Sequence, residues 1–396
     1  MKKLFLMVAF AGFLFSKAAA QTKVPEWHNL NRDSPSNRTQ IILPQVKGFN
    51  VYKGDFHVHT SYSDGLLSPG GCVVDAWLDG LDILALTDHY EGHRGLQWAF
   101  RVGTAYGEQM ETMYKDAKDA GRVMTDCNAI HNEAVMRLER EGYPMLLVKG
   151  CEMARKNSTH GHFNCLFLDD INDLYDPDMA VALRKVKEQG GIVVHNHPCW
   201  RRENNDKTPF HEQVYGEGLV DGVEVVNGTM FYPPIVRRCI DENLAMFANT
   251  DLHNISYEGY ASRGTHRTMT LVLAKELTEK AIKDAILKRR TIGYAAGNLI
   301  GEESWLSELL NAAVDCRVVS IDEKKGTRTF QLINMSSISY TLRIRGRFYI
   351  LEPFKTNMVV LGKEKGSKQF TAPKFPVENM WIADHKHPVI ELEIDK

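Results

Sequence analysis

The sequence is poorer in some features than its 396 residues would lead one to expect, and each shortage excludes something. Beyond the N-terminus there is no apolar run long enough to span a bilayer, which requires about 20 residues, so no membrane-spanning helix is expected. There is no GxGxxG and no Walker A glycine loop after a first strand, which argues against a nucleotide-binding doubly wound sheet. The formal net charge of -2 provides no excess of either sign, so neither a stable nucleic-acid partner nor a membrane surface is expected. Cysteine is sparse and irregular: seven residues, an odd number, with no CxxC to suggest a zinc ribbon or a redox pair. Cys72, Cys151 and Cys165 lie in apolar runs and read as buried thiols, although export would permit a disulfide.

What remains is ordinary globular composition, 43% hydrophobic and 25% charged, enough for one large domain and a smaller one. Residues 1–20 read as a secretory signal peptide: Met1-Lys2-Lys3 is basic, residues 4–15 are apolar, and Ala18-Ala19-Ala20 offers a cleavage site before Gln21. The mature chain is therefore expected to be exported, to a periplasm or beyond. Residues 21–53 read as an N-terminal arm that ends in the strand-like IILPQVKGFNVY. From residue 54 to about 315, short apolar strands alternate with helical segments, the pattern of a parallel α/β sheet closed as a barrel. Ser68 and Pro69 mark one helix start, and residues 107–141 read as a long polar helical stretch with a break at Gly121. Residues 316–396 lose the helical period and read as a small antiparallel β domain.

Four times in the barrel region, two metal-capable side chains stand two residues apart at the end of an apolar run: His57/His59, His160/His162, His195/His197 and Asp251/His253. On a strand, residues i and i+2 share a face, so each pair can direct two ligands at one point. Asp64, His89 and Glu152 add single ligands at or just after strand ends. Barrel chemistry sits at the C-terminal ends of strands, which is where these residues fall. Imidazole mixed with carboxylate suits zinc, manganese or iron, and a carboxylate can bridge two ions. Two or three such ions would clamp a phosphoryl group and supply a metal-bridging hydroxide at neutral pH, so no protein nucleophile is required. Arg201, beside Trp200, is the leading phosphate-binding cation; His93 and His160 are further substrate-binding candidates. Arg94, beside His93 just past His89, could also reach the site; Arg155, Lys156, Arg202, Arg263, His266 and Arg267 read mainly as solvated loop residues, and His385/His387 as a solvated turn.

The segments DFHVHTSYSDG, LDILALTDH, Glu152, GHFNCLF, IVVHNHP, DGVEVVN and NTDLH together resemble the polymerase and histidinol phosphatase (PHP) superfamily of metal-dependent phosphoesterases. The resemblance implies a distorted (β/α)7 barrel of PHP type with two or three divalent ions and a small-molecule phosphate ester as substrate. It implies one ion on His57, His59, Glu152 and Asp251, a second on Glu152, His162 and His197, and a third on Asp64, His89 and His253. His160 and His195 are additional to that pattern, and His195 is open to a role beside the ligands or in assisting catalysis. Hydrolysis of a phosphodiester is the leading expectation. A phosphomonoesterase, an amidohydrolase-like hydrolase and a non-catalytic binding protein are the competing readings.

Overall fold

In the computed structural model the described residues are 38–90, 126–155, 159–200, 204–363 and 369–395. The signal-peptide and most of the arm assignments therefore lie outside them, as do Gly121, Lys156, His93, Arg94, Arg201 and Arg202.

The first half of the large sheet is built as anticipated. Strand β1 (Asn50–Asp55) lies parallel to β2 (Ile83–Leu86), which lies parallel to β3 (Leu146–Arg155). Helix α1 (Pro69–Leu78) crosses from β1 to β2, and α2 (Cys127–Glu141) precedes β3. Ser68 Oγ accepts from Gly71 N at 3.1 Å, a cap that contributes about 1 kcal/mol, and Pro69 occupies the first turn, where its missing N–H costs nothing.

The sheet is not parallel throughout, which corrects the sequence expectation. β4 (Gly161–Leu166) runs antiparallel to β3 because only residues 156–160 connect them, too few for a crossover helix. β5 (Ile192–His195), after helix α3 (Met179–Glu188), is antiparallel to β4. Helix α4 (Pro209–Gly216) then leads to β6 (Gly222–Asn227), parallel to β5, and the short β7 (Met230–Phe231) folds back on β6. Helix α5 (Pro233–Asp241) leads to β8 (Ala245–Asn249), which also lies parallel to β6. β9 (Met269–Ala274) is antiparallel to β1. After helix α6 (Glu279–Leu287), β10 (Thr291–Ala295) and β11 (Asn298–Gly301) continue the meander. These last two strands, with helices α4 and α7 (Glu303–Ala313), were not anticipated from sequence.

The resulting mixed sheet curls until β8 faces β9 and β10. That seam carries no strand ladder; threonine hydroxyls bridge it. Thr270 Oγ1 accepts from Ala248 N at 2.9 Å and lies 3.0 Å from Ala248 O, and Thr291 Oγ1 accepts from Met246 N at 3.2 Å. Beneath the C-terminal strand ends, Phe56 and Phe247 pack edge to face with centroids 5.4 Å apart. Gly54 and Gly222 make room for them: a Cβ at either would lie 2.6 Å or 2.5 Å from a ring carbon.

After α7 the chain forms three small antiparallel groups. β12 (Val314–Asp322), β13 (Thr327–Asn334) and β16 (Thr356–Gly362) form one sheet, β14 (Tyr340–Ile344) and β15 (Arg347–Leu351) a hairpin, and β17 (Lys374–Pro376) with β19 (Val389–Glu391) a third pair. β18 (Met380–Trp381) instead extends the large sheet by pairing with β11. The described residues from Thr39 onward form one compact unit. His385 is exposed, whereas His387 is half-buried against Trp381, with Nδ1 donating to Met380 O at 2.8 Å. No disulfide joins the seven cysteines, and all except Cys199 are buried. No helix among the described residues is long and apolar enough to cross a membrane.

Candidate metal centre

The site residues converge because strands continue to pair for a few residues past their formal ends. Val58 bridges Leu252, and His59 N donates to Leu252 O at 3.0 Å, so His57/His59 stand beside Asp251/His253. His89 bridges Glu152 in the same way, and Asn196 N donates to His162 O at 2.9 Å. Two of the converging residues hold left-handed backbone, His197 at φ 25° and Asp251 at φ 53°, a strain that surrounding structure must impose.

Glu152 lies at the middle, nearly fully buried. Its Oε1 is 3.4 Å from His57 Nε2, 3.1 Å from His162 Nδ1 and 3.4 Å from His197 Nε2, while Oε2 is 2.8 Å from His89 Nδ1 and 3.6 Å from His59 Nε2. Asp251 Oδ1 lies 3.2 Å from both His57 Nε2 and His59 Nε2. Asp64 joins His253 Nε2 at 3.2 Å and His89 Nε2 at 3.4 Å. Three sets of donor atoms lie close enough to share an ion: His57, Glu152 and His197; His57, His59 and Asp251; His59, Asp64 and His89. The first set includes His57 where the resemblance implied His162, and the third includes His59 where it implied His253. His162 and His253 contact the same carboxylates from outside these sets.

Hydrogen bonds at the far side of the rings decide which nitrogen faces inward. His57 Nδ1 lies 2.8 Å from Glu224 Oε1, and a carboxylate only accepts, so Nδ1 carries the proton. His59 Nδ1 faces Ser63 Oγ at 3.3 Å, whose own hydrogen goes to Asp88 Oδ1 at 2.6 Å. His253 Nδ1 donates to the Asp251 carbonyl at 2.8 Å. In all three the Nε2 lone pair is thereby turned towards the centre. Nε2 of His57 and of His59 lie only 3.2 Å apart, and Nε2 of His253 faces a carboxylate oxygen, so each contact needs a proton or a metal ion in it. His89 Nδ1 lies close to Glu152 yet outside hydrogen-bonding geometry. Such an arrangement requires positive charge between the donors, and buried imidazole and carboxylate groups on rigid strand ends fit divalent metal ions.

The charge deficit also appears in the titration of the metal-free site. Burial disfavours charge on His89 and His253, yet Glu152 and Asp64 hold His89 at about 10, and Asp64 with Asp251 holds His253 at about 9. Burial would raise Glu152, but His162, His89 and His57 hold it well below the ordinary carboxylate range. His59 moves the other way, lowered by burial and by neighbouring His253.

The extra histidines face elsewhere. His195 Nδ1 meets Tyr215 OH at 2.8 Å, and its ring stacks on Phe163; the turn at His197 separates it from its i+2 partner. His160, followed by Gly161 at φ 75°, stacks on Phe210 with centroids 4.2 Å apart. Arg267 lies in the loop before β9 but is not solvated. It is buried and binds Asp55 at 2.8 Å and both Asp75 and Asp79 at 3.3 Å. Sequence reading missed Glu224, fully buried, which accepts from His57, from His197 N at 2.7 Å, and from Asn227 and Asn249 at 3.0 Å each. Its signal was a lone carboxylate inside the apolar run GVEVVN, a position that costs several kcal/mol unless every oxygen is paired. Asp88 carried the same signal in LALTDH.

No protein-family model matches the chain, and no curated protein does. Among solved structures it is similar to a two-domain protein from Bacteroides vulgatus that contains a predicted PHP-like metal-dependent phosphoesterase: 31% identity, TM-score 0.76, covering 90% of this chain and 99% of that one. Endonuclease Q in complex with a 27-mer duplex matches at 13% identity and TM-score 0.38, covering 67% of this chain and 63% of that one. An amidohydrolase from Chromobacterium violaceum matches at 14% identity and TM-score 0.36, covering 51% of this chain and 87% of that one. At those TM-scores neither of the last two bears on the function of this chain.

Proposed function

Because this chain belongs to the PHP-like metal-dependent phosphoesterases, and so is a metal-dependent hydrolase of phosphoric esters, we propose that it is an exported phosphodiesterase. The observation that carries the metal assignment is the convergence of three histidine lone pairs on Glu152, Asp251 and Asp64. His57, His59, Asp64, His89, Glu152, His162, His197, Asp251 and His253 would hold two or three ions. When bound, such ions lower the pKa of a water molecule and neutralise charge building up on phosphoryl oxygens.

The chain's own residues do the positioning. Glu224 and Ser63 fix the tautomers of His57 and His59, and Asn196 Nδ2 holds Glu152 Oε1 at 2.9 Å so that both carboxylate oxygens stay aimed at different donors. Burial of Glu152, His57 and His59 excludes bulk water from the inner side. Asp64, Asp251 and His253 are 21%, 21% and 37% exposed, which leaves the outer side open to a substrate. We take a shallow hollow against His162 and His197 as the place along which a second organic group would lie, and on that ground favour a diester over a monoester.

The test is to strip the protein with chelator, reload it with manganese, zinc or iron, and offer bis-p-nitrophenyl phosphate beside p-nitrophenyl phosphate. The diester should turn over faster. Faster monoester hydrolysis would reverse the preference, and no turnover of either with two ions bound would end the phosphoesterase assignment. For export, expressing the full chain should yield a mature N-terminus at Gln21 outside the cytoplasm; a retained Met1 on cytoplasmic protein would refute it.

A further inference from the structure

A phosphate ester has an organic part as well as a phosphoryl group, and the metal-ligating side chains provide nothing for it to rest on. A shallow, partly open hollow adjoins the centre, and His162, His195, His197, His211, Pro198 and Trp200 are among the residues that line it. Trp200 is held in place by a turn, its N donating to His197 O at 2.8 Å. Its ring centroid lies 5.3 Å from both His162 and His197, at interplanar angles of 57° and 63°. The residue is 37% exposed beside the buried cluster. Trp200 and Pro198 are the apolar members of the described lining, beside four imidazoles and Asn196.

We propose that Trp200 is a specificity-determining platform on which the enzyme seats a planar, aromatic organic group of its phosphate ester. The inference rests on the phosphoesterase reading, because it takes the phosphoryl group to sit beside His162 and His197. From there the atoms attached through the ester oxygen extend into the hollow and meet the indole. Offset or edge-to-face contact of two aromatic systems is worth roughly three- to tenfold in affinity beyond the area buried. A saturated chain of similar size gains only the area.

Binding to the metal-loaded protein separates this inference from catalysis. The probes are inorganic phosphate, methyl phosphate and phenyl phosphate, titrated calorimetrically against the native protein, Trp200→Ala and Trp200→Phe, with metal content measured in each. Phenyl phosphate should bind the native protein about three- to tenfold more tightly than methyl phosphate. In Trp200→Ala that ratio should fall to about one while inorganic phosphate binding and metal content stay unchanged, and Trp200→Phe should keep most of it. If esters are turned over but Trp200→Ala weakens phenyl and methyl phosphate equally, the platform is wrong and the catalytic reading stands. If no ester is hydrolysed yet the phenyl preference depends on Trp200, the platform stands and the catalytic reading fails. If Trp200→Ala loses metal, Trp200→Phe decides: a phenyl preference lost there with full metal content overturns the proposal, and one retained supports it.

Discussion

Two buried ionic clusters lie side by side at the top of the curled sheet, and they solve the same electrostatic problem in opposite ways. In the first, Arg267 sits among Asp55, Asp75 and Asp79, and Asp55 also accepts from Thr250. In the second, Asp64, Glu152 and Asp251 sit among six imidazoles whose protons have in three cases been drawn to the far side of the ring. The first cluster carries its own permanent cation. The second is arranged so that its cations must come from outside, as protons or as metal. The two are joined covalently, since Asp55 lies two residues before His57 and Thr250 one before Asp251. The guanidinium cluster therefore anchors the two strand ends that the metal centre needs close together.

This contrast can be broken most sharply at the bridging carboxylate. Glu152→Ala should lower turnover by about a thousandfold or more and remove most of the bound metal, read by elemental analysis beside a kinetic assay. Full metal content in that variant would mean Glu152 does not bridge. Arg267→Met should instead destabilise the fold by about 3–5 kcal/mol, because three carboxylates lose their buried counter-charge. That loss should appear in urea unfolding of the chelator-treated protein as well as the loaded one, whereas a metal-dependent loss alone would make Arg267 part of the centre. Glu224→Gln should keep the fold and weaken metal affinity by about 10–100-fold, because it disturbs the proton on His57 Nδ1 without removing a ligand. An unchanged affinity would show that the tautomer of His57 is set elsewhere.

The smallest effect is the dependence on pH. In the metal-free protein His89 and His253 are held at about 10 and about 9, above the ordinary value for histidine. A raised pKa contributes stability that is complete below about 6.5 and is lost as pH climbs through 9 to 10. Melting of chelator-treated protein should therefore fall between pH 6.5 and 10. Metal competes with those same protons, so affinity should rise over that interval and loading at pH 7 should release protons, measurable by calorimetry in buffers of different ionisation heat. Loading without proton release would mean that the lone pairs are already bare.

How far the sequence could be read differs between elements for physical reasons. Ser68, Pro69 and the apolar period of α1 are local signals, and the helix starts where they place it. The antiparallel turn of β4 depended on a short connection whose meaning was clear only once β3 was known to extend to Arg155. β10 and β11 pair across a tight turn at Ala296 and Gly297, at φ 46° and 76°, which interrupted the apolar pattern and hid them. Spacing in the i,i+2 pairs brought both members into the cluster at His57/His59 and, although Asp251 itself is left-handed, at Asp251/His253. It was misleading at His195/His197 and His160/His162, where a positive φ rotates one partner away.

By itself, the sequence determined the chemistry on offer: imidazoles and carboxylates at strand ends, no thiolate site, no nucleotide loop, and the residue types a metal would choose. Those follow from composition and local period, which need no partner. Only the tertiary structure decided which histidines meet, which nitrogen of each faces inward, that Glu224 and Ser63 set those tautomers, and that Arg267 is spent on Asp55, Asp75 and Asp79. Each of these is a contact between residues far apart in the chain, fixed by where the curled sheet brings strand ends together, and no local pattern encodes it.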